Sequence, residues 1–298
     1  MPPRSRPAGT LHEPYEALKR LAHTNLRSPE TCEQLLRLAV VSLNFLTSEC
    51  REVNLTSLIP DKEYFSYARR SAARLLSRPI NRALFEPNTA AVRRQWRAWW
   101  RAEPLGQETV ARLSYTMAMA YCAAIDLFDR GNKKGPATYF ECLVGHLFAR
   151  ALGVNPTKKA TLPVLGRQIR MTMDFIFDLR PSRVRVHLPV KMSTRERVVQ
   201  AWAHQGLLDA SYGRGQFRGI LVVFSETKLD LVTREVVEIC VPDQWLAYQV
   251  LLARMDRIYY FDVPQRYADL ATAYPVVQLK QFADFFAEKE EVLAAPLP

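Results

Sequence analysis

Between Met171 and Leu179 the chain alternates. Met171, Met173, Phe175, Phe177 and Leu179 fall on one face of an extended strand, and Thr172, Asp174, Ile176 and Asp178 on the other. A second alternation follows, with Val184, Val186, Leu188 and Val190 as the apolar set and Arg185, His187, Pro189 and Lys191 opposite. The Arg180-Pro181-Ser182 step between them reads as a hairpin turn. Period-two alternation then puts Asp174 and Lys191 on the non-core faces of adjacent strands. A carboxylate and an ammonium held close on a sheet can bind a divalent metal ion and steer an attacking water. The same pair also makes an ordinary cross-strand salt bridge on a solvated face.

The residues from Lys191 to Gln200 read KMSTRERVVQ and open a helix expected from Thr194 to about Asp209. An arginine donates two hydrogen bonds to guanine O6 and N7, and a carboxylate accepts from cytosine N4. Arg195, Glu196 and Arg197 at a helix start therefore suit G·C pairs in a major groove. Ser193 with Glu196 also fits a capping box, in which Glu196 serves backbone N–H groups and Arg197 is merely solvated.

With the hairpin, Asp174 and this run together, the chain resembles a type II restriction endonuclease of the PD-(D/E)xK nuclease superfamily. In particular it resembles the group that reads CCGG, or CC and GG halves around a central base. That group ends a catalytic strand in lysine and follows it with a Ser/Thr-containing turn. It then opens a helix with an Arg/acid/Arg triplet and a glutamine just beyond. The resemblance covers about residues 133–265. It implies that Asp174 and Lys191 are catalytic and that Arg195, Glu196 and Arg197 read bases. It also implies that Asp174 and Glu141 hold Mg²⁺, Glu141 being the additional acid of the first core helix. The acid that usually stands two before the lysine is absent, its place taken by Pro189. The group moves it about thirteen residues past the lysine, where this chain has His204. His204 is thus the fourth catalytic candidate, as a ligand to metal or water; the alternatives are that Gln205 or Asp209 turns inward, or that metal binding rests on fewer protein ligands. A partly buried helix histidine is the plainer reading.

The activity implied is Mg²⁺-dependent hydrolysis of double-stranded DNA at a palindromic G·C-rich site, leaving 5′-phosphates. A two-fold symmetric site calls for a homodimer, and a cognate DNA methyltransferase is expected beside it. Two rivals stand: a structure-specific repair or junction nuclease, and a non-catalytic basic DNA-binding protein.

The elements that must position these residues are expected to be an α/β (α+β) fold. Its core is a mixed sheet flanked by helices over 131–298, after a mainly helical region at 1–130 that contacts DNA backbone or makes the dimer. Helical periodicity runs from Ser28 to about Arg130, including Phe65 to Leu76, with Pro60, Pro79, Pro87 and Pro104 as punctuation. Trp96, Trp99 and Trp100 interleave with Arg93, Arg94, Arg97 and Arg101. That pattern fits a packed tryptophan stripe with a solvated basic face, or a grip on phosphates. Beyond Gly131 we expect a helix Ala137–Leu152, the two hairpin strands, and a buried strand Gly219–Phe224. A strand near Glu235–Cys240, a helix Asp243–Met255 and an edge-like strand Ile258–Val263 follow.

Composition narrows the partners. Of 298 residues, 41 are Lys or Arg and 30 Asp or Glu, a net charge of +11. Residues 1–105 hold 17 Lys/Arg against 10 Asp/Glu, so +7 of that excess lies there. Such a balance favours a polyanion. Five scattered cysteines without a CxxC pair argue against a disulfide framework or a structural zinc, and for a reducing cytoplasm. The longest uncharged stretch, Leu113 to Ile125, falls short of the ~20 residues that span a bilayer. The basic start has no apolar stretch after it, so no secretory signal is expected.

Overall fold

A computed structural model describes residues 8–129, 131–132, 134–179, 184–195 and 198–294. By internal contacts the chain divides into two units. Met1–His146 with Leu229–Val236 form the first, and Leu147–Lys228 with Val237–Pro298 the second.

The first unit opens with α1 (Ala8–Thr24) and α2 (Pro29–Glu49). Ser28 caps α2 by accepting from the Thr31 N–H at 3.1 Å, and Pro29 occupies the first turn, where its missing N–H costs nothing. Five short strands follow: β1 (Cys50–Asn54), β2 (Thr56–Ser57), β3 (Tyr64–Arg69), β4 (Ala72–Leu76) and β5 (Ile80–Asn81). The helical expectation for Phe65–Leu76 is therefore corrected to an antiparallel ribbon. β3 pairs with β1, β4 and β5, and Tyr64 to Ala68 are all buried. Burial on both faces erases the period-two signal, while the aromatic run favours a pleated strand.

Asn88 caps α3 (Thr89–Trp100), which leads into α4 (Gln107–Phe128) and α5 (Lys134–Leu152). α4 is buried almost all round, which explains its long uncharged stretch. Among the described residues no helix is long and apolar enough to cross a membrane. Trp96 donates to Cys32 Sγ at 3.1 Å, and the Trp100 ring stacks on His146 with centroids 5.6 Å apart. The tryptophans pack within the unit while Arg93, Arg94 and Arg97 are exposed, so the stripe is a packing feature.

Arg78 clamps α4 to the ribbon. Its Nε and Nη2 donate to the two carboxylate oxygens of Asp126 at 2.8 and 2.9 Å, and its backbone N–H adds a third bond at 2.9 Å. Both side chains are about a quarter exposed. Asp126→Ala strands the guanidinium, and we expect a loss of about 2 kcal/mol in urea unfolding. A loss under about 0.5 kcal/mol would show the clamp to be incidental.

The second unit is built on a mixed sheet. Its strands are β6 (Thr157–Val164), β7 (Arg167–Asp178), β8 (Arg185–Leu188), β9 (Val190–Lys191), β10 (Phe217–Val223), β13 (Arg257–Tyr260) and β14 (Leu279–Gln281), in the order β14-β13-β10-β8-β7-β6 with β9 also on β10. Between β10 and β13 a hairpin, β11 (Thr227–Leu229) and β12 (Glu235–Glu238), carries Leu229–Val236 back into the first unit, where Glu235 and Val236 pair with Thr56 and Ser57. β6, β7 and β8 are antiparallel, whereas β10 runs parallel to β8, β9 and β13. All seven residues of β10 are buried, as a central parallel strand requires.

Helices cover both faces of this sheet. α6 (Val199–Tyr212), α7 (Pro242–Ala247) and α8 (Gln265–Ala273) bring Trp202, Trp245 and Tyr267 onto Leu221, Val223, Ile258 and Tyr260. On the other face Phe285 of α9 (Asp284–Ala294) stacks on Phe148, which lies 6.2 Å from Phe177. This mixed α/β architecture is the expected fold class.

Several boundaries differ from expectation. The helix after Lys191 starts at Val199, so Arg195 lies in the preceding turn. The helix expected to Met255 gives way at Tyr248–Leu252 to a π turn, whose Gln249 takes the Trp202 indole N–H at 2.9 Å. The strand expected at an edge, β13, is interior: β14 pairs beyond it, and Glu288 of α9 accepts from Arg257 and Tyr259 at 3.3 and 2.6 Å.

Candidate functional site

β7 and β8 pair in register, with Phe175 opposite Leu188 and Phe177 opposite Val186. The strand then breaks at Pro189, which has no N–H for the ladder. Just beyond, the Val190 N–H and the Lys191 ammonium both donate to Asp174 Oδ2, each at 2.9 Å. β9 is in turn locked to the central strand, with Val190 opposite Val222 and the Phe224 N–H donating to the Lys191 carbonyl at 3.0 Å. The expected meeting of Asp174 and Lys191 is thus observed, on rigid elements and with both side chains partly exposed. Asp174 Oδ1 makes no hydrogen bond among the described residues.

His187 departs from the expected non-core face: it is fully buried, because α6 covers that side of the sheet. Its Nδ1 lies 3.0 Å from Gln205 Oε1, and Gln205 Nε2 donates to Asp209 Oδ1 and the Phe217 carbonyl. Since the amide nitrogen already donates, Oε1 accepts, which places the imidazole proton on Nδ1. Among the described residues His187 Nε2 has no hydrogen-bond partner. Burial pushes this imidazole down to about 4. Gly219 leaves room for the amide, since a Cβ there would lie 2.9 Å from Gln205 Oε1.

His204 sits half-buried on α6, its ring 6.2 Å from that of His187. Burial lowers its pKa, the Asp174 charge pulls it back, and the Lys191 ammonium lowers it again. Of the two neighbours able to turn inward, Gln205 is bonded to both His187 and Asp209, and Asp209 accepts from Gln205. Burial also raises the Asp209 carboxyl.

Glu141 is half-buried on α5 in the first unit. Asp174, Lys191 and His204 are the expected catalytic residues that the second unit brings together. Arg195 is exposed in the turn before α6, and Glu196 and Arg197 lie outside the described residues.

One residue of this region has no counterpart in the sequence reading. Glu226, 1% exposed, accepts from the Thr194 N–H at 2.7 Å and from the Tyr260 hydroxyl at 2.8 Å, both on Oε1. Among the described residues its buried Oε2 has no hydrogen-bond partner. Burial pushes this carboxyl up to about 7 against the pull of its Thr194 and Tyr260 hydrogen bonds, with Glu238 adding a smaller push. A single glutamate just past a buried strand looks in sequence like the strand's polar end.

The donor set can be tested against a metal ion. Among the described residues no group of three His, Cys, Asp or Glu side chains could hold one. One carboxylate oxygen without a partner suits a hard cation that keeps most of its shell as water and phosphate oxygen, as Mg²⁺ does.

No protein-family profile matches the chain, and no curated protein sequence does. Solved structures do. The type IIP restriction endonuclease Kpn2I superposes with a TM-score of 0.80 at 22% identity, over 94% of this chain and 96% of that one. A restriction endonuclease PspGI–substrate DNA complex gives a TM-score of 0.45 at 13% identity, over 68% and 92%. The first likeness is one of fold: the chain has a restriction-endonuclease fold.

Proposed function

We propose that this chain is a type II site-specific endonuclease. It hydrolyses double-stranded DNA with Mg²⁺ at a palindromic G·C-rich site, CCGG or CC and GG halves around a central base, and leaves 5′-phosphates. The observation that carries the reading is the Asp174–Lys191 pair: one carboxylate oxygen fixed by a backbone N–H and an ammonium, the other open, at the end of a strand bonded to the sheet centre.

In this reading Asp174 Oδ1 holds the cation. When bound, Mg²⁺ polarises the phosphoryl oxygen and lowers the pKa of a bound water. Lys191 stabilises the charge that develops at phosphorus and orients the attacking water. His204, neutral at pH 7, accepts a hydrogen bond from water with its free ring nitrogen. Arg195, with Glu196 and Arg197, reads base edges. A homodimer on the two-fold site, a cytoplasmic location and a methyltransferase that protects host DNA belong to the same proposal.

Equal-length duplexes carrying CCGG, the interrupted halves, or neither, incubated with Mg²⁺ and end-mapped, test it. Cuts confined to one class, with 5′-phosphates, support the reading. Cuts indifferent to sequence favour the junction nuclease, and bound but intact duplexes favour the non-catalytic protein. His204→Glu places a carboxylate where the resembling group has one. We expect it to lower the Mg²⁺ midpoint of cleavage about tenfold, because an added ligand charge tightens a hard-cation site. An unchanged midpoint would remove His204 from the metal's surroundings.

A further inference from the structure

Three successive residues leaving β10 hold the segment that joins Lys191 to Arg195. The Phe224 N–H donates to the Lys191 carbonyl at 3.0 Å and the Ser225 N–H to the Met192 carbonyl at 3.3 Å. The Glu226 side chain then takes over from the backbone, accepting the Thr194 N–H at 2.7 Å. Thr194 is fully buried, and its hydroxyl meets the Tyr267 hydroxyl at 3.0 Å, which itself accepts the Val241 N–H at 3.0 Å. The residue just before Arg195 is therefore fixed by both its backbone and its side chain.

A buried carboxyl is costly unless its hydrogen bonds repay it. Here, among the described residues, Oε1 takes two bonds and Oε2 none, so packing alone does not account for a glutamate at this place. From this geometry we infer that Glu226 is a positioning residue for base selection: it sets the register between the turn that carries Arg195 and the strand that carries Lys191. Recognition and chemistry are thereby coupled through one side chain. The inference rests on the endonuclease reading and deepens it.

The test compares Glu226→Asp with Glu226→Gln in the full-length protein. Aspartate is one methylene shorter, keeps the acid, and cannot reach both Thr194 and Tyr260. Glutamine keeps an Oε1 acceptor in place. The readouts are the cleavage-rate ratio between the duplex the wild type cuts best and the same duplex with one base pair changed, and amide hydrogen exchange at Thr194. Glu226→Asp is expected to lower the ratio at least tenfold and to speed exchange at Thr194. Glu226→Gln is expected to restore both to near wild type. If Glu226→Asp frees the Thr194 amide and leaves the ratio unchanged, or if it leaves the amide protected, the inference is overturned. A wild type that cuts no duplex with Mg²⁺ overturns the endonuclease reading, and this inference with it. A selective wild type with an equally selective Glu226→Asp protein overturns the inference alone.

Discussion

Lys191→Ala is expected to slow DNA cleavage by about 10²–10³-fold while leaving duplex binding in place. The ammonium lies 2.9 Å from Asp174 Oδ2, beside the oxygen open to a cation. Removing it takes away the positive charge nearest the proposed scissile phosphate. Asp174 itself should stay in position, because the Val190 N–H still donates to it at 2.9 Å. The loss should therefore fall on the chemical step, read as the single-turnover rate at saturating protein. Lys191→Arg should not rescue it, since a planar guanidinium cannot put its charge where a compact ammonium sits. A Lys191→Ala rate within tenfold of wild type would remove this residue from the mechanism.

The second large effect is on stability, and its sign differs between two buried groups. His187 is held down to about 4, below its ordinary 6.5, so the folded state binds fewer protons than the unfolded one between those values. Its contribution is present above pH 6.5 and is lost as pH falls toward 4, by about 3 kcal/mol. Glu226 is raised from its ordinary 4.5 to about 7, so between those values the folded state binds more protons. Its contribution is present below pH 4.5 and is lost as pH rises through 7, again by about 3 kcal/mol. The two slopes oppose each other between pH 4.5 and 6.5. Wild type should therefore show a shallower pH dependence of urea unfolding across that window than a protein that keeps only the His187 slope. Glu226→Gln removes one slope and exposes the other, so its stability should fall steeply as pH drops below 6.5. A Glu226→Gln protein with the same pH dependence as wild type would contradict this accounting.

What the sequence revealed and what it hid follow from burial. Asp174 and Lys191 were legible because both stand on the polar side of the alternating hairpin, and the fold brings them together although Lys191 lies beyond the break at Pro189, on β9. Alternation names a face without saying whether that face is later covered. His187 was therefore misplaced, since the covering comes from Gln205 and α6. The ribbon at Tyr64–Ala68 was lost for a related reason: five consecutive buried residues carry no period. The strand at Ile258–Val263 was expected at an edge, and only the fold supplies β14 beyond it and Glu288 to meet Arg257 and Tyr259. Glu226 acts through Thr194 and Tyr260, residues 32 behind and 34 ahead of it. Nothing local in the sequence marks that meeting.

The central claim is metal-dependent cutting at a defined sequence. A digest of a sequenced plasmid by the purified protein, with Mg²⁺ or with EDTA, addresses it most directly. The account predicts discrete fragments with Mg²⁺, all ending at one sequence, and intact plasmid with EDTA. Plasmid left intact at every Mg²⁺ concentration, by a protein that still binds it, would contradict the account.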